Sequence, residues 1–285
     1  MPTLDRHLRA AAAHLTNSDT PHLDARVLAK HALGLDDAGL ILAGERRLAK
    51  DKRAAIDALL ARRMTGEPVA QIVGEKEFFG LTFAVGPGVL TPRPDSETLI
   101  EAAIERRPRA RAMQMLDLGT GSGCLLCALL NEFPRAAGIG VDKSEFAVRQ
   151  ARANAAALGF AERAQFYVGD WADALSRPFD LIVANPPYIR DGDRESLGVE
   201  IREFESGAAL FAGPDGFDAY RAIFKAAPAF LAKDGAMIVE AGDSHAAALA
   251  VLARAVFPQA AVEICNDLGA RPRAVVVDRF FTKKK

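Results

Sequence analysis

The chain has 285 residues, half of them hydrophobic and 26% charged, which suits a globular protein with one large domain and one small one. Lysine plus arginine (36) balance aspartate plus glutamate (37), without the basic excess of a protein that lives on a nucleic-acid backbone, so direct nucleic-acid binding is not expected. No apolar run is long enough to span a membrane, three cysteines are too few for a disulfide framework, and the N-terminus lacks a signal-peptide core, so a cytoplasmic protein is expected.

In chain order, residues 1–70 read as a small helical bundle. Leu4, Leu8, Ala12 and Leu15, then Ala25, Leu28, Ala29 and Leu33, recur at helical spacing. Thr20-Pro21 reads as a helix start, and Gly34 and Gly44 read as helix ends. Residues 71–90 change character. Ile72, Val73, Phe78, Phe79, Leu81, Phe83 and Val85, broken by glycines, predict a β-hairpin linking two domains. Thr91-Pro-Arg-Pro-Asp-Ser-Glu97 then opens a helix. The basic run Arg106-Arg107-Pro108-Arg109 reads as a solvated connector.

Residues 91–285 form the larger domain. Strand-like runs are expected at 113–118, 137–141, 165–168, 181–184, 236–239, 261–264 and 274–277, with helices between most of them. This alternation predicts an α/β fold with a mostly parallel sheet covered on both faces. Cys124-x-x-Cys127 falls in an apolar helix after a glycine loop and reads as packing, not as a redox or metal pair. The five histidines are scattered without ligand spacing, and no metal is expected. The Lys283–Lys285 tail reads as disordered.

The chemistry gathers at strand ends. The first strand runs into Asp117-Leu-Gly-Thr-Gly-Ser-Gly123, a loop that allows close approach of backbone to ligand at a helix N-terminus. Its spacing is one residue short of the dinucleotide fingerprint, and no Gly-Lys-Ser/Thr follows to make a P-loop. The second strand ends in Asp142, where an adenosine ribose would offer its hydroxyls. The third ends in Gly169-Asp170-Trp171, whose indole could pack on a purine. The fourth ends in Asn185-Pro186-Pro187-Tyr188. Ligands of open α/β sheets lie outside these carboxyl ends.

This set of motifs resembles the class I S-adenosylmethionine-dependent methyltransferases. The resemblance implies a Rossmann-like seven-stranded sheet and S-adenosyl-L-methionine as cofactor, with S-adenosyl-L-homocysteine as product. Gly119, Thr120, Gly121, Ser122 and Gly123 would line the methionine part, Asp142 would hold the ribose, and Asp170 and Trp171 would border the adenine.

Asn-Pro-Pro-Tyr suits an acceptor NH2 whose lone pair is delocalised into a π-system. The Asn185 side-chain oxygen can accept one hydrogen and the Pro186 carbonyl the other, with Pro186 and Pro187 fixing the corner. Tyr188 can pack on the planar acceptor. The tetrapeptide alone leaves DNA adenine, ribosomal RNA guanine and protein glutamine open, including a glutamine of a ribosomal protein.

Further segments narrow the choice. "LTPRPDSETLIE", "NPPYI", "ALFAGPDGFDAYRAI" and "ND-LGARPRAVVV" are similar to the release-factor glutamine methyltransferases (HemK/PrmC family) over nearly the whole chain. Ser96 stands where that family commonly has threonine, Phe217 where it has leucine, Ser206 where it has proline and His245 where it has glutamine. The resemblance implies methylation of the glutamine in the Gly-Gly-Gln loop of class 1 peptide chain release factors. The helical domain would then contact the release factor or only stabilise the fold.

Overall fold

The computed structural model describes residues 2–171 and 177–280. The chain folds as two compact units. The first holds residues up to Glu75 together with Val85–Pro87 and Glu195–Glu205. The second holds Lys76–Ala84, Gly88–Arg194 and the chain from Ser206 onward.

The first unit is helical: α1 (Leu4–Ala12), α2 (Pro21–Leu33), α3 (Asp37–Ala43), α4 (Lys50–Met64) and α5 (Val69–Val73). Pro21 starts α2, and Gly34, in the left-handed region at φ 62°, ends it. Asp36 caps α3 by accepting from the Gly39 N–H at 2.7 Å. Leu4, Leu8, Ala25, Leu28, Leu40, Ile56 and Leu60 are buried together, the faces that the helical spacing marks. Ile72 and Val73 depart from the expected hairpin. They lie in α5, which begins beside Pro68 and is closed by Gly74 at φ 85°.

The same unit takes in α9 (Val199–Phe204), a segment distant in sequence. Arg63, with its side chain only 5% exposed, anchors it. Its guanidinium meets Asp24 Oδ2 at 2.7 Å and Glu200 Oε2 at 2.9 Å. Ser18 and Thr20 hydroxyls donate to the same Asp24, and Gln71 Nε2 donates to the Phe204 carbonyl at 3.2 Å. The buried cation and its carboxylates are thus paired and hydrogen-bonded, the condition for burying charge at all.

Next along the chain come a hairpin, β1 (Glu75–Phe78) and β2 (Leu81–Ala84), and then α6 (Glu97–Arg106). Then come β3 (Gln114–Leu118), α7 (Cys124–Glu132), β4 (Ala137–Asp142), α8 (Glu145–Ala157), β5 (Ala164–Val168) and β6 (Phe179–Ala184). After α9 follow α10 (Gly207–Leu210), α11 (Asp218–Phe230), β7 (Leu231–Glu240), α12 (Ala246–Val256), β8 (Ala261–Asn266) and β9 (Pro272–Asp278). The expected seven-stranded sheet has the order β5-β4-β3-β6-β7-β9-β8. It is parallel from β5 to β7, while β9 runs antiparallel to both neighbours.

Alternation along the strands sends side chains to two cores. Met115, Leu181, Val183, Ile238 and Val276 face one side with α6, α7 and α8. Leu116, Ile182, Met237, Val239 and Val275 face the other with α11 and α12. Cys127 lies in the first core and Cys124 packs against it, as the apolar-helix reading expects. The arginine run is a solvated connector only in part, since Pro108 and Arg109 are exposed. Arg107 is buried and pairs with Asp278 at 2.9 Å, Arg106 reaches Glu263 at 2.6 Å, and Arg109 reaches Glu132 at 2.6 Å. The run is basic because it meets acids from distant strands and helices, which spacing along the chain does not reveal. Among the described residues, no helix is long and apolar enough to cross a membrane. Lys283–Lys285 lie outside the described residues.

Candidate active site

The chain passes from β3 to β4 on one side and returns through β6 on the other, so a crevice opens at the carboxyl ends of β3 and β6. A cavity of about 230 Å³ lies there, many times the ~10–15 Å³ that one water needs on that measure. Gly119, Gly121, Asp142, Asp170, Trp171, Asn185 and Pro187 line it, joined by Val89, Leu90 and Ser206.

Gly119 and Gly121 have φ of 72° and 55°, in the left-handed region. A Cβ built on Gly119 would meet only Trp171 Cζ3, at 3.8 Å, so the glycines leave a cradle that side chains would fill. Asp142 Oδ2 accepts the Gly121 N–H at 3.0 Å, and Oδ1 accepts the Ser144 N–H at 2.9 Å. Each oxygen keeps acceptor capacity for a hydroxyl. An apolar slot beside Trp171, an acceptor-only carboxylate and a bare backbone cradle fit the adenosine and methionine parts of S-adenosylmethionine.

Three expected lining residues work from behind the loop instead. Thr120 and Ser122 are buried, and the Thr120 hydroxyl turns inward to donate to Asp117 Oδ2 at 2.6 Å. Gly123 presses on α8, where an added Cβ would lie 3.0 Å from the Ala151 Cβ. Asn154 of α8 ties the loop down, donating to the Ser122 carbonyl at 2.9 Å while pairing with the Ala84 backbone. Burial pushes the Asp117 carboxyl up to about 7, against the Thr120 hydrogen bond, which lowers it.

The acceptor corner is assembled from distant segments. Pro186 is buried and Tyr188 half-buried; neither lines the cavity. Asn185 Nδ2 donates to Ser96 Oγ at 2.9 Å, and the Ser96 hydroxyl donates to Glu240 Oε2. Ser96 and Glu240 are 2% and 3% exposed. Burial drives the Glu240 carboxyl up to about 7, with the Ser96 hydrogen bond and Arg273 pulling it down. Burial also raises the Tyr188 phenol to about 12, so it stays protonated near neutrality.

Beneath Tyr188, the "ALFAGPDGFDAY" segment acts as scaffold. Ile189 exchanges backbone hydrogen bonds with Leu210 and Ala212 at 2.9 Å. Gly216, at φ 76°, leaves room for the Tyr188 carbonyl, which an added Cβ would approach to 2.4 Å. Phe217 and His245 meet at a tilt with ring centroids 5.1 Å apart, and Tyr188 tilts against His245 at 6.1 Å. The two sequence departures at Phe217 and His245 are therefore neighbours that together support Tyr188. The Tyr220 hydroxyl donates to the Glu240 carbonyl at 3.0 Å. In the sequence, Ser96, Phe217 and His245 stand out only as departures from the family pattern, and nothing marks Glu240 as their partner. Their signal was the convergence of three separate segments on one corner.

Fold and cavity together define an S-adenosylmethionine-dependent methyltransferase of class I. Residues 7–74 match the PrmC N-terminal domain, and residues 110–268 match a methyltransferase domain. The chain is 44% identical to the release factor glutamine methyltransferase of Rhodospirillum rubrum, over 92% of this chain and 80% of that one. It is 43% identical to the same enzyme of Bradyrhizobium diazoefficiens, over 94% and 92%. A methyltransferase structure from Pyrococcus furiosus shares the fold at a TM-score of 0.52 and 17% identity, over 78% of this chain and 98% of that one. The chain belongs to the release factor glutamine methyltransferase family.

Proposed function

We propose that this enzyme methylates the side-chain amide nitrogen (N5) of the glutamine in the Gly-Gly-Gln loop of class 1 peptide chain release factors, in the cytoplasm. The observation that carries the reading is Asn185 at the cavity wall, with its Nδ2 committed to Ser96 and its oxygen left for an acceptor NH2. Similarity to release factor glutamine methyltransferases over nearly the whole chain supports a glutamine as that acceptor.

When bound, S-adenosylmethionine supplies a methyl group on a sulfonium, an electrophile with a good leaving group. The protein's own task is placement. The amide nitrogen of glutamine is a weak nucleophile because its lone pair is delocalised toward the carbonyl. Asn185 Oδ1 accepts one amide hydrogen and the Pro186 carbonyl the other, which holds the nitrogen in line and favours the positive charge it gains. Tyr188 packs on the planar amide. The surplus proton leaves the nitrogen after the new N–C bond forms, so no general base is required. Asp142 anchors the ribose hydroxyls, and Trp171 borders the adenine.

Incubating the full chain with cofactor and a class 1 release factor should add one methyl mass to the peptide carrying the Gly-Gly-Gln glutamine. Methylation of a ribosomal protein glutamine, or of DNA or ribosomal RNA amino groups, in place of the release factor would overturn the assignment. The balanced charge disfavours the nucleic-acid acceptors.

A further inference from the structure

We propose that Ser96 and Glu240 form a positioning relay that decides which end of the Asn185 amide faces the acceptor, and that the relay works only while Glu240 is ionised. It rests on the reading of Asn185 as the residue that receives the acceptor NH2.

An asparagine amide is nearly symmetric in shape but opposite in chemistry at its two ends, one accepting and one donating. Only the oxygen can hold an acceptor N–H; the NH2 end would oppose it. The orientation must therefore be imposed from behind. An ionised carboxylate accepts hydrogen bonds and donates none. Glu240 thus takes the Ser96 hydroxyl hydrogen, which leaves the Ser96 oxygen able only to accept. Asn185 must then present Nδ2 to it, as it does at 2.9 Å, and Oδ1 is the end left for the site. With Ser96 and Glu240 both at least 97% buried, water does not readily substitute for either partner.

Protonation inverts the accounting. A neutral Glu240 can donate to Ser96 Oγ, which frees the hydroxyl hydrogen to point at Asn185. That hydrogen needs an acceptor, so the amide now favours the flipped orientation, with Oδ1 toward Ser96 and its NH2 toward the acceptor. The groups facing Glu240 set where this happens. Arg273 of β9 and Arg93 favour the carboxylate, and Asp95 beside Ser96 opposes it. The Tyr188 and Tyr220 phenols also lie nearby, and burial keeps both protonated at neutral pH. Burial outweighs the arginines and brings the Glu240 carboxyl to about 7, inside the range where an enzyme works.

The test measures kcat from pH 5.5 to 8.5 with the full chain, labelled cofactor and an intact release factor, alongside cofactor binding by calorimetry. The wild-type rate should fall about tenfold per pH unit below about 7, as for loss of one essential ionised group. Ser96→Ala should lower kcat at pH 8 by roughly 10- to 100-fold, a typical cost of misplacement, and leave cofactor binding unchanged. Ser96→Thr, which keeps the hydroxyl, should restore both the rate and the acid limb. Glu240→Gln should remove the limb. In the protein without substrate, the Asn185 side-chain NH2 resonances should shift with a midpoint near pH 7, and not in Ser96→Ala. If Asn185→Ala abolishes turnover while Ser96→Ala keeps the wild-type rate and limb, the relay alone is wrong. If Asn185→Ala keeps turnover, the reading of Asn185 fails and the relay with it.

Discussion

The loop between β3 and α7 draws its parts from seven consecutive residues, Asp117 to Gly123, with Asp142 one strand away. The corner after β6 depends on Ser96 before α6, Gly216 and Phe217 before α11, Glu240 at the end of β7 and His245 before α12. One half of the cavity is made largely of backbone in a tight local turn. The other is made of side chains that meet only when the sheet is complete. A backbone cradle for a cofactor needs few specific side chains, since glycine and a helix N-terminus supply the shape. A corner that must tell an oxygen from an NH2 needs an ordered chain of donors and acceptors, and those are recruited from wherever the fold delivers them.

The largest expected effect separates the two halves. Asn185→Ala should cost roughly 100- to 1,000-fold in kcat, the range found when one preorganised polar group at a reacting centre is removed. Asp142→Ala should instead weaken cofactor binding and leave kcat at saturating cofactor largely intact. Methyl-transfer kinetics with both substrates varied would show the split. If both variants lose only kcat, the division into a donor half and an acceptor half is wrong.

Two glycines give a smaller contrast. A Cβ on Gly140 of β4 would lie 2.5 Å from Phe166 Cδ1 and 2.7 Å from Thr120 Oγ1. Gly140→Ala should destabilise the fold by about 1–3 kcal/mol through overpacking, read by urea unfolding. It should also loosen cofactor binding, because Thr120 braces the loop. Gly216→Ala should push on the Tyr188 carbonyl and lower kcat with cofactor affinity preserved. The same substitution would thus report on different halves according to which side of the crevice it crowds.

The donor half was legible because its signals are local. A glycine loop after an apolar strand, and an acid at the end of the next, announce themselves within some twenty-five residues. Even there, the spacing of the turn does not say which side chains point inward: Thr120 and Ser122 are buried, and the Thr120 hydroxyl bonds Asp117. The sheet was legible for the same reason: buried parallel strands read as continuous apolar runs. Asn185 and Tyr188 were legible as a corner, but their supports were not. Glu240 lies 55 residues beyond Asn185 and Ser96 lies 89 before it. No periodicity links them. The membership of α9 in the helical unit was hidden likewise, because it hangs on Arg63 reaching Glu200.

The smallest expected effect sets the stability of the acceptor half against its activity. The Glu240 and Asp117 carboxyls are both raised to about 7 by burial, above the ordinary value for an unfolded carboxyl of about 4. Between those values the folded protein holds more protons than the unfolded chain. Stability from these two groups is therefore greatest at acid pH and declines as pH rises toward 7, then levels off. Exposed acids paired with arginine or lysine, such as Asp37, Asp215 and Asp234, have lowered values and act in the opposite direction at lower pH. The net slope is therefore shallow, and the informative quantity is a difference between variants. Between pH 5.5 and 7.5, Glu240→Gln should lose less melting temperature than the wild type by about 2–4 °C, the size of a ~1 kcal/mol change in a domain of this size. Turnover should move the other way over the same interval, because the carboxylate that weakens the core is the form that holds Ser96 and Asn185 in register. Parallel melting curves for the two proteins would mean that Glu240 stays ionised throughout this interval when folded, as in the unfolded chain, and turnover could then have no acid limb from this group.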